Sequence, residues 1–342
     1  MQTRILKTSQ PDIEIAAAIL KKGGLVAFPT ETVYGLGASA LNTSAVKNIY
    51  SVKGRPMDNP LIAHVSDRQM VFSVAKSIPK QVDRLIEKFW PGPLTIILPI
   101  RDDIDRYFCA GLDSVAVRCP QHPVAHDIIA AAKEPIVAPS ANLSGKPSPT
   151  CFEHVYDDLF GKVDAIVDGG DCEIGIESTV VLPNDKGVHI LRPGAVTADM
   201  LKSAVQNVTI DKAILKPVQS GQKVLSPGML HRHYAPKAKM VLLCGDNQKI
   251  YDYINAKIQI SGIKAGVLCF ENEVKYFSGA VVISYGKMDD AQSVSHNLFK
   301  ALRDFDKNEV DVIYAHAPRP CGDTLGVYNR MLRAASFNVI NL

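Results

Sequence analysis

The chain has no Cys-x-x-Cys pair; its seven cysteines, at 109, 119, 151, 172, 244, 269 and 321, are odd in number and scattered. That spacing indicates neither a zinc ribbon nor a disulfide framework, and reduced, mostly buried thiols are the simple reading. No apolar run approaches the ~18 residues of a membrane span, so no membrane partner is expected. Met1 to Gln10 carries no apolar signal-peptide core, which makes a cytoplasmic location the expectation. There is no Gly-x-x-x-x-Gly-Lys-Ser/Thr loop and no Gly-x-Ser-x-Gly elbow. A P-loop nucleotide grip and a serine-hydrolase nucleophile are thereby set aside. Internal repeats and low-complexity tracts are also missing.

What is present is ordinary in bulk. Hydrophobic residues make up 46% and charged residues 21%, as in a globular protein. At 342 residues the chain exceeds a usual single core, so two domains are expected. The net charge of +3 and pI of 8.4 suit an anionic small ligand. They fall short of the concentrated basicity of a dedicated nucleic-acid binder.

Ile13 to Lys22 has helical spacing and stops at Gly23-Gly24. Leu25 to Phe28 follows as a strand, and Asn42, Thr43 and Ser44 offer caps for a helix to about Lys53. Many short strands with few helices between them predict a mixed α/β or α+β fold for residues 1–206. Residues 207–238, with Gln219-Ser220-Gly221 and Ser226-Pro227-Gly228, lose apolar periodicity and read as a linker. Strands and helices alternate over 239–342, which predicts a smaller, Rossmann-like α/β domain. Its first strand leads into Cys244-Gly245-Asp246, not Gly-x-Gly-x-x-Gly, so a dinucleotide site there is not expected.

The chemistry gathers near polar groups that follow apolar runs. Phe28-Pro29-Thr30-Glu31-Thr32-Val33-Tyr34-Gly35-Leu36-Gly37 ends a strand in hydroxyls, a carboxylate and glycines. In Lys53-Gly54-Arg55-Pro56, proline pushes Arg55 toward extended backbone, where residues two apart share a side. The expectation is that Lys53 and Arg55 converge on phosphate oxygens. Ser140-Ala141-Asn142 follows Ile136 to Ala138, Ser178 and Thr179 start a strand after Glu177, and Arg118 and Arg192 each close a strand. Glu31 is read as the cap of a backbone turn.

These blocks carry a resemblance. Pro29 to Gly37, Lys53-Gly54-Arg55-Pro56, Trp90-Pro91-Gly92-Pro93-Leu94-Thr95, Pro139-Ser140-Ala141-Asn142 and Glu177-Ser178-Thr179 are similar to the signature blocks of YrdC-type L-threonylcarbamoyladenylate synthases. Ser226-Pro227-Gly228-Met229 and His231-Arg232-His233-Tyr234-Ala235-Pro236 resemble the linker of the long, two-domain form. The resemblance implies a YrdC-like twisted mixed sheet and a reaction: L-threonine, bicarbonate and ATP give threonylcarbamoyl-AMP and pyrophosphate. Downstream threonylcarbamoyl transferase proteins then modify tRNA beside the anticodon, with at most a weak tRNA contact by this chain. It also implies roles. Lys53 and Arg55 are catalytic and, with Asn59, Ser140, Asn142, Ser148, Arg192 and Tyr234, hold ATP. Thr32, His64, Arg118 and Ser178 hold L-threonine, and Mg2+ enters as a cofactor, mainly through the ATP phosphates. The linker is read as a lid, Tyr234 and Arg232 closing over the nucleotide to exclude water. His231 and His233 as a metal pair find no clear third ligand in the sequence.

Two other readings compete. A concave cationic sheet also suits an RNA-binding module, but the cationic loops carry Ser, Asn, Gly and Pro instead of stacking aromatics. Carbamoyl transfer in hydrogenase maturation uses similar domains within larger chains that contain paired Cys-x-x-Cys motifs.

Overall fold

Two residues fix the helix Thr43–Lys53. The Asn42 side-chain oxygen accepts the Ala45 amide at 3.0 Å, satisfying one of the donors that a helix start leaves open. Gly54 ends it at φ 60°, a left-handed conformation that costs little without a Cβ. The buried stripe carries Val46, Ile49 and Tyr50, and Lys53 lies on the same face. That ending overturns one expectation: the backbone from Lys53 to Arg55 is not extended, so the two cations do not project side by side.

The computed structural model describes residues 2–216, 233–260 and 262–342. Eleven strands form one mixed sheet. It runs from Arg4–Leu6 at one edge through Ala165–Val167, Val26–Phe28, Gly35–Ser39, Ile136–Val137 and Ile62–His64. Ser114–Arg118, Leu94–Pro99, Thr179–Asn184, Gly187–Arg192 and the edge strand Asn207–Ile210 complete it. Successive side chains of a strand point to opposite faces. Val26 and Phe28 therefore join the core under the helices Gln10–Lys21 and Pro123–Ala132. Leu25 and Ala27 join a second core with Leu36, Ile49, Leu94 and Val117. Burial on both faces explains why this run is continuously apolar.

The C-terminal domain is a five-stranded, all-parallel sheet. Its order is Val281–Ser284, Ala265–Cys269, Val312–His316, Lys239–Cys244, Val339–Asn341. Helix Asn247–Ile258 covers one face, and helices Ala291–Asn308 and Leu325–Ala334 cover the other. This is the Rossmann-like unit that the alternation predicts. No helix among the described residues is long and apolar enough to cross a membrane.

The boundary expected at 206 moves. Asn207–Ile210 pairs in parallel with Gly187–Ile190, and Ile214 enters the first core, so the catalytic-side domain continues to residue 215. Of the expected linker 207–238, residues 217–232 lie outside the described residues. Tyr234 and Ala238 already belong to the C-terminal core.

The domains dock closely. Val33 and Ile176 of the first domain enter the C-terminal core. Gly175, at φ +83°, lets helix Ala291–Asn308 approach so near that a Cβ would stand 2.5 Å from the His296 Cα. We expect Gly175→Ala to cost about 1–3 kcal/mol through overpacking and left-handed strain. A urea-unfolding comparison checks this; an unchanged midpoint would contradict the close approach.

Candidate active site

Sheet register gathers the polar strand ends into one row. His64 pairs with Arg118, Arg118 with Thr95, Thr95 with Val180, and Val180 with Arg192. Five residues far apart in sequence thus lie across one end of neighbouring strands. Above them is a cavity. Thr32, Arg55, His64, Arg118, Ser140, Asn142, Ser178, Arg192 and Tyr234 line it, as do Lys146, Glu177 and His233. Lys53, Asn59 and Ser148 do not line it; they stand behind the wall.

The arginines differ in how their charge is answered. Arg118, 4% exposed, forms an ion pair with Glu31 at 2.7 Å and donates to Thr32 Oγ1 at 2.8 Å and to the Gly92 carbonyl at 3.3 Å. The angle of the Glu31 contact falls short of a hydrogen bond, so neither Glu31 oxygen nor Arg118 Nη2 has an aligned partner among the described residues. Burial would raise the Glu31 carboxyl, but the charge and contact of Arg118 hold it below its ordinary value. Glu31 is therefore the positioner of Arg118, which corrects its reading as a turn cap. Among the described residues, Arg192 donates only to Ser178, to its carbonyl at 3.0 Å and its hydroxyl at 3.1 Å, and Arg55 only to the carbonyls of Asn59 and Pro60, at 3.3 and 3.1 Å. Neither has a carboxylate at ion-pair distance among the described residues. Burial pulls both guanidiniums down to about 10, which leaves them cationic at neutral pH. Two cations without an ion-paired carboxylate among the described residues face one cavity.

The remaining polar groups set shape. His64 is buried, and its Nδ1–H donates to the Ile62 carbonyl at 3.2 Å; that tautomer leaves Nε2 an acceptor. Burial first, then the charge of Arg118, drives the imidazole down to about 3. Ser178 Oγ also meets Thr95 Oγ1 at 2.8 Å. In the wall formed by residues 140–148, Ser140 Oγ donates to Asn142 Oδ1 at 2.5 Å, and Asn142 Nδ2 donates to the Leu143 and Lys146 carbonyls. Lys53 supports this wall from beneath: its ammonium donates to the carbonyls of Ser140 and Asn142. In this conformation Lys53 therefore does not converge with Arg55 on the cavity. Burial, then the charge of Arg55, lowers that ammonium well below its usual value. Asn59 reaches the His233 ring nitrogen at 3.4 Å.

The C-terminal domain completes the wall, which the sequence reading missed. Arg330, fully buried on helix Leu325–Ala334, pairs with Glu177 at 2.7 Å and donates to the Glu177 and Pro193 carbonyls. Glu177 in turn accepts the Ser148 hydroxyl at 2.5 Å. Burial would raise this carboxyl, but Arg330 and Arg192 together hold it below its ordinary value. Arg303 of helix Ala291–Asn308 donates to the Pro147 carbonyl at 2.7 Å and to Asp158 at 2.8 Å, while Lys146 holds the other Asp158 oxygen at 2.7 Å. The sequence carries no local signal for Arg330, because its burial and its pairing with Glu177 arise only from the docking of helix Leu325–Ala334 on the first domain. Tyr234 stacks on Phe299 with centroids 5.2 Å apart and lies 5.7 Å from the Arg330 guanidinium. The end of the expected lid is thus seated on the cavity, while His231 and Arg232 lie outside the described residues.

The site's donor set bears on metal binding. No group of three or more His, Cys, Asp or Glu able to hold a metal occurs among the described residues. The two site carboxylates, Glu31 and Glu177, are each turned to an arginine.

Two outcomes follow from this geometry. Arg330→Met leaves Glu177 as a buried carboxylate without its cation, at a cost of about 3–5 kcal/mol. Urea unfolding measures it, and a loss below about 1 kcal/mol, the level of a surface pair, would contradict the clamp. His64 titrates lower when folded, whereas the unfolded chain takes up that proton near ~6.5. Its contribution to stability is therefore complete above about 6.5 and declines as pH falls toward about 3. In NMR spectra the His64 ring should stay neutral between pH ~5 and ~8, and a midpoint near ~6.5 would contradict its burial.

Comparison with known proteins agrees along the whole chain. The family model of the Sua5, YciO and YrdC proteins, described as Telomere recombination, matches residues 18–194. A second, described as Threonylcarbamoyl-AMP synthase, C-terminal domain, matches residues 196–336. A curated Bacillus subtilis protein named Threonylcarbamoyl-AMP synthase is 44% identical, covering 98% of this chain and 96% of its own. One of the same name from Pyrococcus abyssi is 41% identical, covering 96% of each. The crystal structure of P. abyssi Sua5 complexed with L-threonine superposes with a TM-score of 0.93 at 41% identity, over 99% of this chain and 100% of that one. This chain belongs to the Sua5/YrdC family in its two-domain form, whose curated members are named threonylcarbamoyl-AMP synthase.

Proposed function

We infer that this chain makes threonylcarbamoyl-AMP from L-threonine, bicarbonate and ATP, releasing pyrophosphate, for threonylcarbamoyladenosine in tRNA. The observation that carries the inference is the pair Arg55 and Arg192, two guanidiniums without an ion-paired carboxylate among the described residues, facing one cavity. The threonine amine and bicarbonate form a carbamate: an N–C bond forms, a C–O bond of bicarbonate breaks, and its oxygen leaves as water with a proton from the amine. A carbamate oxygen then attacks the ATP α-phosphorus, an O–P bond forms, and the bond to pyrophosphate breaks. Attack by an anion on a polyanion needs fixed positive charge and positioning more than a covalent nucleophile.

Arg55 and Arg192 supply that charge to the phosphates. Ser140 and Asn142 bond the nucleotide directly, and Tyr234 closes over it. Lys53, Asn59 and Ser148 act through the wall, His233 and Glu177 they hold, so Lys53 is a positioning residue. Arg118, aimed by Glu31 and with Nη2 lacking an aligned acceptor, receives the threonine carboxylate. Thr32, His64 and Ser178 receive its hydroxyl and amine, the neutral His64 as an acceptor. Mg2+ is expected to arrive with the nucleotide, held by phosphate oxygens and water, and when bound it neutralises the β- and γ-phosphates. Downstream, threonylcarbamoyl transferases use the product, and contact with tRNA by this chain is at most weak.

The test is pyrophosphate release that requires both threonine and bicarbonate. Arg55→Ala should raise the apparent KM for ATP by about tenfold or more, from the loss of charge-assisted contacts worth ~1.5–3 kcal/mol. Arg118→Ala should do the same for threonine and spare ATP. Pyrophosphate release independent of threonine would defeat the function, and two variants with unchanged KM for both substrates would defeat the assignment.

A further inference from the structure

The reaction leaves a second large cavity unused. In the C-terminal domain a crevice of about 440 Å³ opens at the carboxyl ends of the strands Lys239–Cys244 and Val312–His316, within the roughly 300–1,000 Å³ of small-molecule sites. The first of these adjacent parallel strands leads to helix Asn247–Ile258 on one face of the sheet. The second leads to helix Leu325–Ala334 on the other face. The two loops therefore part to opposite sides. In open parallel sheets, ligands bind in the gap at such a switch point.

The floor of the crevice is His316, whose side chain is 6% exposed. Its Nδ1 donates to Glu273 at 2.9 Å. Glu273 is itself fixed by the Tyr251 hydroxyl at 2.8 Å and the Phe270 amide at 3.1 Å. Nε2 has no partner among the described residues, and the ring lines the crevice. A carboxylate that locks one imidazole nitrogen orients the other toward whatever enters. Arg319 stands exposed on the same lining and makes no ion pair among the described residues. Asn247, in the first turn of a 12-residue helix, adds a helix start, where open amides favour negative charge. Asp246 beside it is turned to the Lys249 amide at 3.1 Å. No carboxylate lines the crevice among the described residues, and Phe270, Met288 and Pro318 supply an apolar wall.

We propose that this crevice binds a small organic anion, a carboxylate or phosphate monoester on a flat apolar body. His316 Nε2 and Arg319 take the charged head, and Phe270, Met288 and Pro318 take the body. The Cys244-Gly245-Asp246 turn does not present the glycine cradle of a dinucleotide site, which limits the ligand to one head group. The loop lining the crevice, through Thr324, runs directly into helix Leu325–Ala334, which carries Arg330 to Glu177, so an occupant would touch the loop that leads into the element clamping the first site.

The test titrates the full chain with phenyl phosphate and, separately, benzoate, by calorimetry. Arg319→Glu and Arg55→Ala are titrated in parallel; Arg319 is exposed, so its substitution leaves packing intact. At least one probe should bind, and which one binds identifies the head group. Arg319→Glu should weaken that binding about tenfold or more, as expected for a lost charge-assisted contact, and Arg55→Ala should leave it unchanged. Binding of neither probe overturns the proposal. So does an affinity that Arg319→Glu leaves intact, or one that Arg55→Ala abolishes.

Discussion

The structure depends on uneven compensation of buried positive charge. A cation removed from water costs several kcal/mol unless paired, and most arginines near the first cavity are paired. Arg118 has Glu31, Arg330 has Glu177 and Arg303 has Asp158. Among the described residues, Arg55 and Arg192 donate only to carbonyls and a hydroxyl. Carbonyls and hydroxyls bring dipoles but no negative charge, so an anion entering the cavity completes what folding leaves open. Glu177 and Asp158 tie Arg330 and Arg303 into the wall, whereas Arg55 and Arg192 face the cavity without an ion-paired carboxylate among the described residues.

Register and domain docking keep that arrangement in place. His64, Arg118, Thr95 and Arg192 meet because five neighbouring strands pair in one alignment. A slip of one residue would turn each of these side chains to the opposite face. The wall at 140–148 is held from within by Lys53 and from outside by Arg303 and, through Glu177, by Arg330. The C-terminal domain is therefore part of the catalytic wall, and its own crevice lies at the start of the helix that forms it.

Local signals were legible where local physics decides. Asn42 and Gly54 bound their helix as capping rules require, and Leu25 to Phe28 reads as a strand because both faces are covered. Arg118 and Arg192 stood out at strand ends. Lys53 was misplaced because the rule for residues before proline governs Arg55, whereas the left-handed Gly54 turns the chain between them. The boundary at 206 fell short because Asn207–Ile210 is an edge strand with little burial, and so shows weak alternation. Arg330 escaped notice since its partner is 153 positions away, a distance that only the tertiary fold bridges.

Calorimetric titration of inorganic pyrophosphate is the most direct measurement, because this ligand has the charge without nucleoside or amino-acid contacts. Titrations of the full chain and of an Arg55→Gln/Arg192→Gln double variant should be compared at one salt concentration. The account predicts binding to the first and a loss of about a hundredfold or more in the second, two charge-assisted contacts of at least ~1.4 kcal/mol each. Equal affinity in the two proteins would contradict it.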